Sequence, residues 1–396
     1  MQAVTPPKYV RQVLSALSAR GHIACIVGGS VRDMLMGETP HDWDICTSAL
    51  PEQVMAIFPD NIPTGLKHGT VTVKSGSKLV EVTTFRTEGA YADHRHPDSV
   101  SFVGDLVTDL SRRDFTVNAM AVSSDGRITD PFGGVDDLRA GIIRCVGNPD
   151  ARFNEDALRM FRAIRFSARL GFSIEDATFT AIGRNARLSA DLAAERIAEE
   201  LTKTLMTGDP AAAFRFFELG LMDSYIEKRP KDLSRRDTFS SLPRKSAPRW
   251  AALCRELLLE GCIASVQDFL KALRLDGRTV RCCRDTALIL SSPMPKTPLE
   301  WKRLLREYGP DTAACAAGVY DALYFGTSSA GLRAVLKSGE CFTLSHLAVN
   351  GLDIAKLGYR GKEIGTMLSF LLDYVIEYPE NNRRELLLGI ASRTEE

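Results

Sequence analysis

Two aspartates one residue apart, Asp42 and Asp44, follow a glycine pair and an arginine in GGSVRDMLMGETPHDWDICTS, which runs from Gly28 to Ser48. Carboxylates this close repel each other unless a cation lies between them. Side chains two residues apart on a strand point to one face, so the pair predicts a magnesium site. Such an ion serves nucleotidyl transfer by neutralising triphosphate charge and activating the attacking hydroxyl. Glu81, in LVEVTTF, is the candidate for a third carboxylate, with an exposed edge position as the alternative.

The glycine pair follows an apolar run, HIACIVGG, and precedes the start of a helix at Ser30. Backbone N–H groups at such a turn can face a phosphate, and Arg32 adds a planar set of donors. A strand-to-helix turn that needs glycine only for its geometry is the alternative.

A second group of polar residues lies in RFNEDALRMFRAIRF, from Arg152 to Phe166. Helical periodicity predicts a buried stripe and a parallel row of arginines one position further on. The stripe is Leu158, Phe161, Ile164 and Ala168, and the row is Arg159, Arg162, Arg165 and Arg169. Asp156 precedes Arg159 by three residues and forms either an intrahelical ion pair or one half of a base-reading edge.

The base-reading alternative follows from hydrogen-bond polarity. Cytosine and adenine each present an amino donor beside a ring-nitrogen acceptor, whereas uracil and guanine present an oxygen acceptor beside an N–H donor. Asp156 accepts and Arg159 donates. An edge built from these two side chains accepts C and A and rejects U and G, because the mismatched groups would be left unpaired.

The elements that must position these residues change character along the chain. Up to about Gly134, alternating apolar and polar residues predict short strands, with turns at Gly76 and at Asp125–Gly126. From Arg152 onward, nearly every segment has helical periodicity. The expected fold class is α+β, with a head that contains a small mixed β-sheet, followed by a long all-α body.

Composition restricts the class of protein. The chain has 396 residues, 44% of them hydrophobic and 25% charged, which suits a globular protein of two or more domains. No stretch approaches the roughly 20 apolar residues of a membrane span, and no signal peptide is evident, so a cytoplasmic protein without membrane contact is expected. Its 9 cysteines are scattered without C-x-x-C spacing, which argues against a disulfide framework or a zinc site.

Basic residues cluster locally although the chain carries 50 basic and 50 acidic residues. Arg235 and Arg236 lie in a basic run from Lys228 to Arg249 and are candidates for RNA phosphate contacts, with a solvated surface as the alternative. Near the C-terminus, YRGKEIG places Arg360 and Lys362 beside the start of a helix. That turn is a second RNA-binding candidate, with a simple helix cap as the alternative.

Five segments in chain order resemble the motifs of the class II tRNA nucleotidyltransferases, the bacterial-type CCA-adding enzymes and their poly(A) polymerase relatives. The segments are GGSVRDMLMGETPHDWDICTS, RRDFTVNAMA, DPFGGVDDL, RFNEDALRMFRAIRF and ERIAEEL. The resemblance is strong over about the first 220 residues, and a weaker similarity is visible in NGLDIAKLGYRGKEIGTMLSFLLDYV.

The resemblance implies roles for individual residues. Asp42 and Asp44 resemble the metal ligands, and Gly29 and Arg32 resemble triphosphate-binding residues. The other nucleotide-binding residues that it implies are Arg113 and Asp114 at the ribose and, in the EDxxR helix, Glu155, Asp156, Arg159, Arg162 and Arg165. For Arg113 and Asp114, a charged helix start is the alternative. RTEGAYADHRHPDSVSFVGDL resembles the loop that re-orients the templating residues between C and A addition, which argues against a CC-only enzyme.

The function implied by the resemblance is magnesium-dependent addition of C, C and A to tRNA 3′ ends from CTP and ATP, without a nucleic-acid template or an obligate protein partner. An A-adding enzyme or a poly(A) polymerase of the same class is the alternative. A non-catalytic RNA-binding protein is a further alternative, against which the paired carboxylates count. The expected domains are a catalytic head over 1–139, a neck with the templating helix over 140–226, an RNA-binding body over 227–330 and a tRNA-binding tail over 331–396.

Overall fold

The structure, a computed structural model, describes residues 5–88, 100–232 and 235–393. Its chain forms two compact units, residues 1–224 and residues 225–396. The finer division into head, neck, body and tail stays a prediction.

The described strands all lie in the first unit. They are β1 (Ala24–Val27), β2 (Asp44–Thr47), β3 (Asn61–Gly65), β4 (Thr70–Ser75), β5 (Lys78–Thr84), β6 (Arg86–Glu88), β7 (Val100–Phe102), β8 (Ala121–Ser123), β9 (Ile128–Thr129), β10 (Ile142–Ile143) and β11 (Ser173–Ile174). A 7-stranded sheet has the order β3-β4-β5-β2-β1-β8-β9. In it β2 and β5 are parallel and the other neighbours antiparallel, so the expected mixed sheet and the α+β class are confirmed.

Helices surround this sheet and continue beyond it. Those of the first unit are α1 (Lys8–Ala19), α2 (Gly29–Leu35), α3 (Pro51–Ile57), α4 (Leu106–Ser111), α5 (Gly134–Ala140), α6 (Pro149–Glu155), α7 (Leu158–Leu170), α8 (Asp176–Asn185), α9 (Ala194–Leu205) and α10 (Phe214–Glu218). The expected turns at Gly76 and Gly126 are present, and both glycines have positive φ, 65° and 83°. One short strand, β11, interrupts the helical part and pairs with β10.

The strand expected over WDICTS is shorter than its sequence indicates. β2 begins at Asp44, so Asp42 precedes the strand instead of lying on it. The cause is the hydroxyl of Ser30 in α2, which donates to the carbonyl oxygen of Asp42 at 3.0 Å and accepts the N–H of Asp44 at 3.1 Å. The backbone between the two aspartates is therefore tied to α2.

The single helix expected over EDALRMFRAIRF is two helices. Asp156 has extended backbone angles, φ −140° and ψ 104°, between the end of α6 and the start of α7. Its side-chain oxygen accepts the N–H of Leu158 at 3.0 Å, and a carboxylate in that position competes with helical hydrogen bonding. The predicted stripe is confirmed, since Leu158, Phe161, Ile164 and Ala168 are all buried.

The second unit is helical throughout its described residues. Its helices are α11 (Ser246–Leu259), α12 (Val266–Ala272), α13 (Gly277–Ile289), α14 (Pro298–Tyr324), α15 (Ser328–Ser338), α16 (Gly351–Ala355), α17 (Lys362–Glu377) and α18 (Arg384–Arg393). α14 bends at Gly309, which has φ 79° and precedes Pro310. Nowhere in the described ranges does a helix combine the length and the apolar character that crossing a membrane requires.

Candidate active site

A cavity of about 600 Å³ in the first unit brings together most of the residues singled out in the sequence. Its basic lining consists of 9 arginines: Arg32, Arg86, Arg112, Arg113, Arg159, Arg162, Arg165, Arg169 and Arg196. The carboxylates in the same lining belong to Asp44, Asp114 and Asp156. This excess of guanidinium groups over carboxylates is suited to a polyphosphate. We call this cavity the arginine cavity.

The glycine pair lies in the wall of the arginine cavity. Gly28 has φ 71°, a conformation that favours glycine, and a Cβ there would lie 2.9 Å from Nη1 of Arg113. A Cβ at Gly29 would lie 3.4 Å from Nη2 of Arg32. Glycine at position 28 is therefore required both by the turn and by the close approach of the Arg113 guanidinium.

Arg32 is buried and held in a fixed orientation. Its Nε and Nη2 donate to Oδ1 of Asp33 at 2.9 and 2.7 Å, and its Nη1 donates to Oδ1 of Asn118 at 2.7 Å. A guanidinium has five N–H donors. These three hydrogen bonds leave two donors for a ligand in the cavity, and they fix the direction in which those donors point.

Asp114 accepts hydrogen bonds at both carboxylate oxygens. Oδ1 accepts from the N–H of Phe115 and from Nδ2 of Asn118, at 2.8 and 3.1 Å, and Oδ2 accepts from Nε and Nη2 of Arg162, at 2.8 and 2.6 Å. Burial of the carboxyl raises its pKa, but the charge of Arg162 and the Asn118 hydrogen bond outweigh burial and lower the pKa to about 2. Asp114 is thus an ionised anchor for Arg162, with its acceptor positions occupied.

Asn118 links the two anchored arginines, because its amide donates to Asp114 and accepts from Arg32. Asn118 lies in the segment RRDFTVNAMA but is not among the predicted site residues. The available signal was an amide within an otherwise apolar stretch, NAMAV, and a buried amide must have its hydrogen bonds satisfied.

The ring of Phe166 supports three of the guanidinium groups. Those of Arg32, Arg162 and Arg165 lie 5.4, 5.3 and 4.2 Å from its centroid, within the range of cation–π attraction. Nε of Arg165 also donates to Oε2 of Glu200 at 2.5 Å. Burial lowers the pKa of Arg165, and the charge of Glu200 opposes that shift.

Asp156 lies at the break between α6 and α7 and lines the arginine cavity. Its Oδ2 pairs with Nη2 of Arg196 at 3.2 Å, while its Oδ1 accepts the N–H of Leu158. Because Asp156 is outside α7, the expected i, i+3 position relative to Arg159 on one helix is wrong.

Arg159 is held by hydrogen bonds to groups other than Asp156. Its Nη1 donates to the carboxylate of Glu155 and to the carbonyl oxygen of Arg152, the latter at 3.2 Å, and its Nη2 donates to the carbonyl oxygen of Arg112 at 3.0 Å. Glu155 is not part of the cavity lining. Its contacts with Arg159 and Arg152 place it behind the cavity wall.

The candidate metal ligands are only partly assembled. Asp44 lines the arginine cavity, while Asp42 and Glu81 are exposed and lie outside its lining. Glu81 is in register with Asp44 on the neighbouring parallel strand. Burial and then the charge of Glu81 raise the pKa of Asp44, and Asp42 adds to the shift against the effect of Arg113. Within the described ranges, no group of three or more acidic, histidine or cysteine side chains is arranged to hold a metal ion.

The RNA-binding candidates lie in the second unit. Arg235 is 3.5 Å from Glu256 and 4.8 Å from the ring centroid of Tyr324, so it takes part in packing within that unit. Arg360 and Lys362 are exposed, and the Glu363 carboxylate accepts the backbone N–H of Arg360 at 3.0 Å.

Arg236 begins a short 3₁₀ helix, Arg236–Ser241. RNA contact at these basic positions stays a prediction. The segment Ala90–Pro97, in the middle of the loop expected to re-orient the templating residues, lies outside the described residues.

Comparisons with known proteins agree with this geometry. Residues 24–144 match the family model of the poly A polymerase head domain, and residues 171–227 match that of a probable RNA and SrmB-binding site of polymerase A. The chain is 37% identical over 385 residues to the CCA-adding enzyme of Lacticaseibacillus paracasei, covering 96% of this chain and 94% of that protein. It is 38% identical over 373 residues to the CCA-adding enzyme of Geobacillus kaustophilus, covering 92% and 90%.

A solved structure extends the comparison to the fold. The crystal structure of the Bacillus stearothermophilus CCA-adding enzyme in complex with CTP matches with a TM-score of 0.83 and 34% sequence identity. The match covers 99% of this chain and 98% of that one.

The anchoring role of Asp114 predicts a pH-dependent contribution to stability. Its pKa in the folded protein, about 2, lies below the ordinary value of 3.8, so the carboxylate stabilises the fold above about pH 4 and loses this effect as pH falls towards 2. We expect Asp114→Asn to have a lower free energy of unfolding than the wild type. The part of this difference that depends on pH should be about 2 kcal/mol.

Denaturant unfolding of both proteins from about pH 6 downward measures this difference, which should shrink across that window. Asp136→Asn is the matched control, because Asp136 forms an exposed ion pair with Arg139. A wild-type advantage that stayed constant from pH 6 to pH 2 would contradict the anchoring role.

Proposed function

The chain belongs to the family of CCA-adding enzymes, and from this premise we propose that it adds C, C and A to the 3′ end of tRNA from CTP and ATP without a nucleic-acid template. The observation that carries the proposal is the arginine cavity, which combines cations for a triphosphate with a hydrogen-bond acceptor and a donor for the base. The acceptor is Asp156 and the donor is Arg159.

The triphosphate is the part of the substrate that the cavity wall suits best. Arg32 keeps two donors after its bonds to Asp33 and Asn118, and Arg113 lies against Gly28 with its Nε buried and without a hydrogen-bond partner among the described residues. A buried donor without a partner is costly unless a ligand supplies the acceptor. We therefore assign phosphate or ribose oxygens to Arg113 and phosphate oxygens to Arg32 and the Gly29 turn.

The base would be selected by Asp156 and Arg159. Asp156 presents carboxylate oxygens to the amino group that cytosine and adenine share, and Arg159 donates to the ring nitrogen beside it. Arg196 orients Asp156, while Glu155 orients Arg159, so Glu155 acts here as a positioning residue. Arg162 and Arg165, held by Asp114 and Glu200, complete the basic wall.

A divalent cation fits the carboxylate end of the cavity. The carboxylate of Asp44 accepts no hydrogen bond within the described residues, and its pKa is raised by burial and by the neighbouring carboxylates, which is the environment that a cation would relieve. Relatives of this kind use a divalent metal, and we propose Mg²⁺, held by Asp42 and Asp44 with Glu81 nearby. Bound Mg²⁺ would neutralise triphosphate charge and favour ionisation of the attacking hydroxyl.

The partners follow from the reaction. CTP and ATP enter the arginine cavity, tRNA supplies the 3′-hydroxyl, and no protein partner is indicated. We propose that Arg235, Arg236, Arg360 and Lys362 contact RNA phosphates from the body and tail. A cytoplasmic location is proposed as well, in agreement with nine cysteines that are all free thiols.

The most direct test of the reaction uses tRNA transcripts that end before CCA, after CC and after CCA. We expect CTP alone to add two residues to the first transcript, ATP to extend only the second, and neither nucleotide to extend the third. Addition of A but never of C would indicate an A-adding enzyme instead, and long A tails would indicate a poly(A) polymerase.

Asp44 generates a prediction about the chemical step. Asp44→Ala should lower turnover by roughly three or more orders of magnitude while tRNA binding stays near normal, because a metal-binding carboxylate acts mainly on the transition state. Single-turnover incorporation of CMP and a filter-binding assay with tRNA measure the two quantities. Asp60→Ala is the matched control, since Asp60 forms an exposed ion pair with Lys74 in the same unit. Near-normal incorporation by Asp44→Ala would remove this carboxylate from the active site.

Asp156 and Arg159 generate a prediction about nucleotide choice. Asp156→Ala and Arg159→Ala should reduce discrimination against UTP and GTP by about 1–3 kcal/mol, because the wrong base no longer faces a mismatched partner. The ratio of kcat/KM for CTP to that for UTP measures the effect. Arg169→Ala is the control, because Arg169 lines the same cavity and should weaken all four triphosphates alike. Unchanged selectivity in both variants would refute base reading by this pair.

A further inference from the structure

A second cavity, of about 840 Å³, lies wholly within the second unit. Its walls come from the start of α11 and from α13, α14 and α15, and α13 packs against α14. The cavity includes the bend of α14, where Pro310 has no N–H to continue the helical ladder and Gly309 adopts φ 79°. None of the residues assigned above to nucleotide binding or RNA binding lines this second cavity.

Two cysteines from neighbouring helices line this second cavity as neighbours. Cys282 of α13 is half-buried, Cys315 of α14 is buried, and each thiol lies close enough to the other to shift its pKa. Thr286, one turn after Cys282, is fully buried, and its hydroxyl lies against both thiols without a regular hydrogen bond in the described part of the chain. The two sulfur atoms therefore lie in one partly buried site beside the hydroxyl of Thr286.

The two thiols are not equivalent. The neighbouring thiol of Cys315 lowers the pKa of Cys282 to about 7, and the same interaction, together with burial, raises the pKa of Cys315. The thiolate is the reactive form of cysteine. The more accessible sulfur, that of Cys282, is therefore the nucleophile of the pair.

The charges around the second cavity favour an anionic reactant. Its lining includes four basic side chains, those of Lys245, Arg278, Arg281 and Arg333. The only carboxylate in the lining belongs to Asp311, which forms an exposed ion pair with Arg278 at 2.6 Å. Carboxylates of a small molecule would be attracted to the three remaining cations.

We propose that Cys282 and Cys315 form a reactive thiol pair that an anionic low-molecular-weight disulfide oxidises to a disulfide bond between α13 and α14. The Cys282 thiolate attacks one sulfur of the small disulfide, forms a mixed disulfide and releases one small thiolate. The Cys315 thiol then loses its proton and attacks the Cys282 sulfur, which releases the second small thiolate. The protein loses two protons and two electrons, and the small disulfide takes up both electrons and becomes two thiols.

Glutathione disulfide, which carries carboxylates, is a suitable probe, and intact-mass measurement of the full-length protein is the readout. The wild type should lose the mass of two hydrogens, and peptide mapping should join Cys282 to Cys315. Cys315→Ser should stop at one glutathione added to Cys282, and Cys282→Ser should remain unmodified at Cys315. Cys283→Ala is the control, since the buried Cys283 thiol donates instead to the carbonyl oxygen of Ala247 at 3.7 Å.

Thermal unfolding of each variant establishes that it is folded before the reaction is measured. A disulfide at any other pair of cysteines, or the same modification in folded Cys282→Ser, would overturn the assignment. So would a wild type that carries glutathione permanently or does not react.

The preference for an anionic reactant is tested separately. Arg281→Glu should slow the reaction with glutathione disulfide several-fold and leave the reaction with the neutral hydroxyethyl disulfide unchanged. Lys271→Glu on α12 is the matched control, because Lys271 does not line the second cavity. Equal rates for the wild type and Arg281→Glu with glutathione disulfide would refute the electrostatic part of the proposal. Nucleotide addition plays no part in these readouts, so their outcome is independent of the proposed function.

Discussion

Mutual repulsion between guanidinium groups is the constraint that shapes the first unit. Nine arginines line one cavity, and their like charges repel one another. Each guanidinium group therefore needs a carboxylate or a carbonyl oxygen to hold it in place. The fold supplies these partners, and all but Asp114 come from outside the cavity lining. Arg32 has Asp33, Arg165 has Glu200, Arg162 has Asp114 and Arg159 has Glu155. Compared with apolar residues of similar size, a buried ion pair adds little net stability, but it fixes where the remaining donors point. The arginine cavity is thus positioned before any substrate arrives.

Two local interruptions of regular structure position the other chemical groups. Ser30 ties the backbone between Asp42 and Asp44 to α2, so β2 starts late and Asp44 reaches the cavity. Asp156 separates α6 from α7 where the sequence pattern predicts one helix. Its carboxylate lines the cavity and pairs with Arg196. In both places a side chain competes with backbone pairing, and the functional carboxylate lies next to the break.

The parts that could be predicted from the sequence depend on local chemistry. Apolar runs and period-two and period-3.6 patterns predict β1, β2, β4, β5, β8 and β9, the hairpin turn at Gly76 and the buried stripe of α7, because burial determines them. They do not predict the short strands β3, β6, β7, β10 and β11. The glycine turn at Gly28 and the row of arginines could also be predicted from the sequence. The pairing partners were not, since Arg162 and Asp114 are 48 residues apart and Arg165 and Glu200 are 35 apart, and no local pattern joins such positions.

The central claim is that the arginines of the cavity are held in place before the nucleotide binds. A crystal structure of this protein with CTP tests it most directly. The account predicts that Arg162 keeps both bonds to Asp114 and Arg32 keeps its bond to Asn118, with the triphosphate on their free donors and the cytosine amino group against Asp156. A complex in which these guanidinium groups leave Asp114 and Asn118 to reach the phosphates, or in which the base lies away from Asp156, would contradict it.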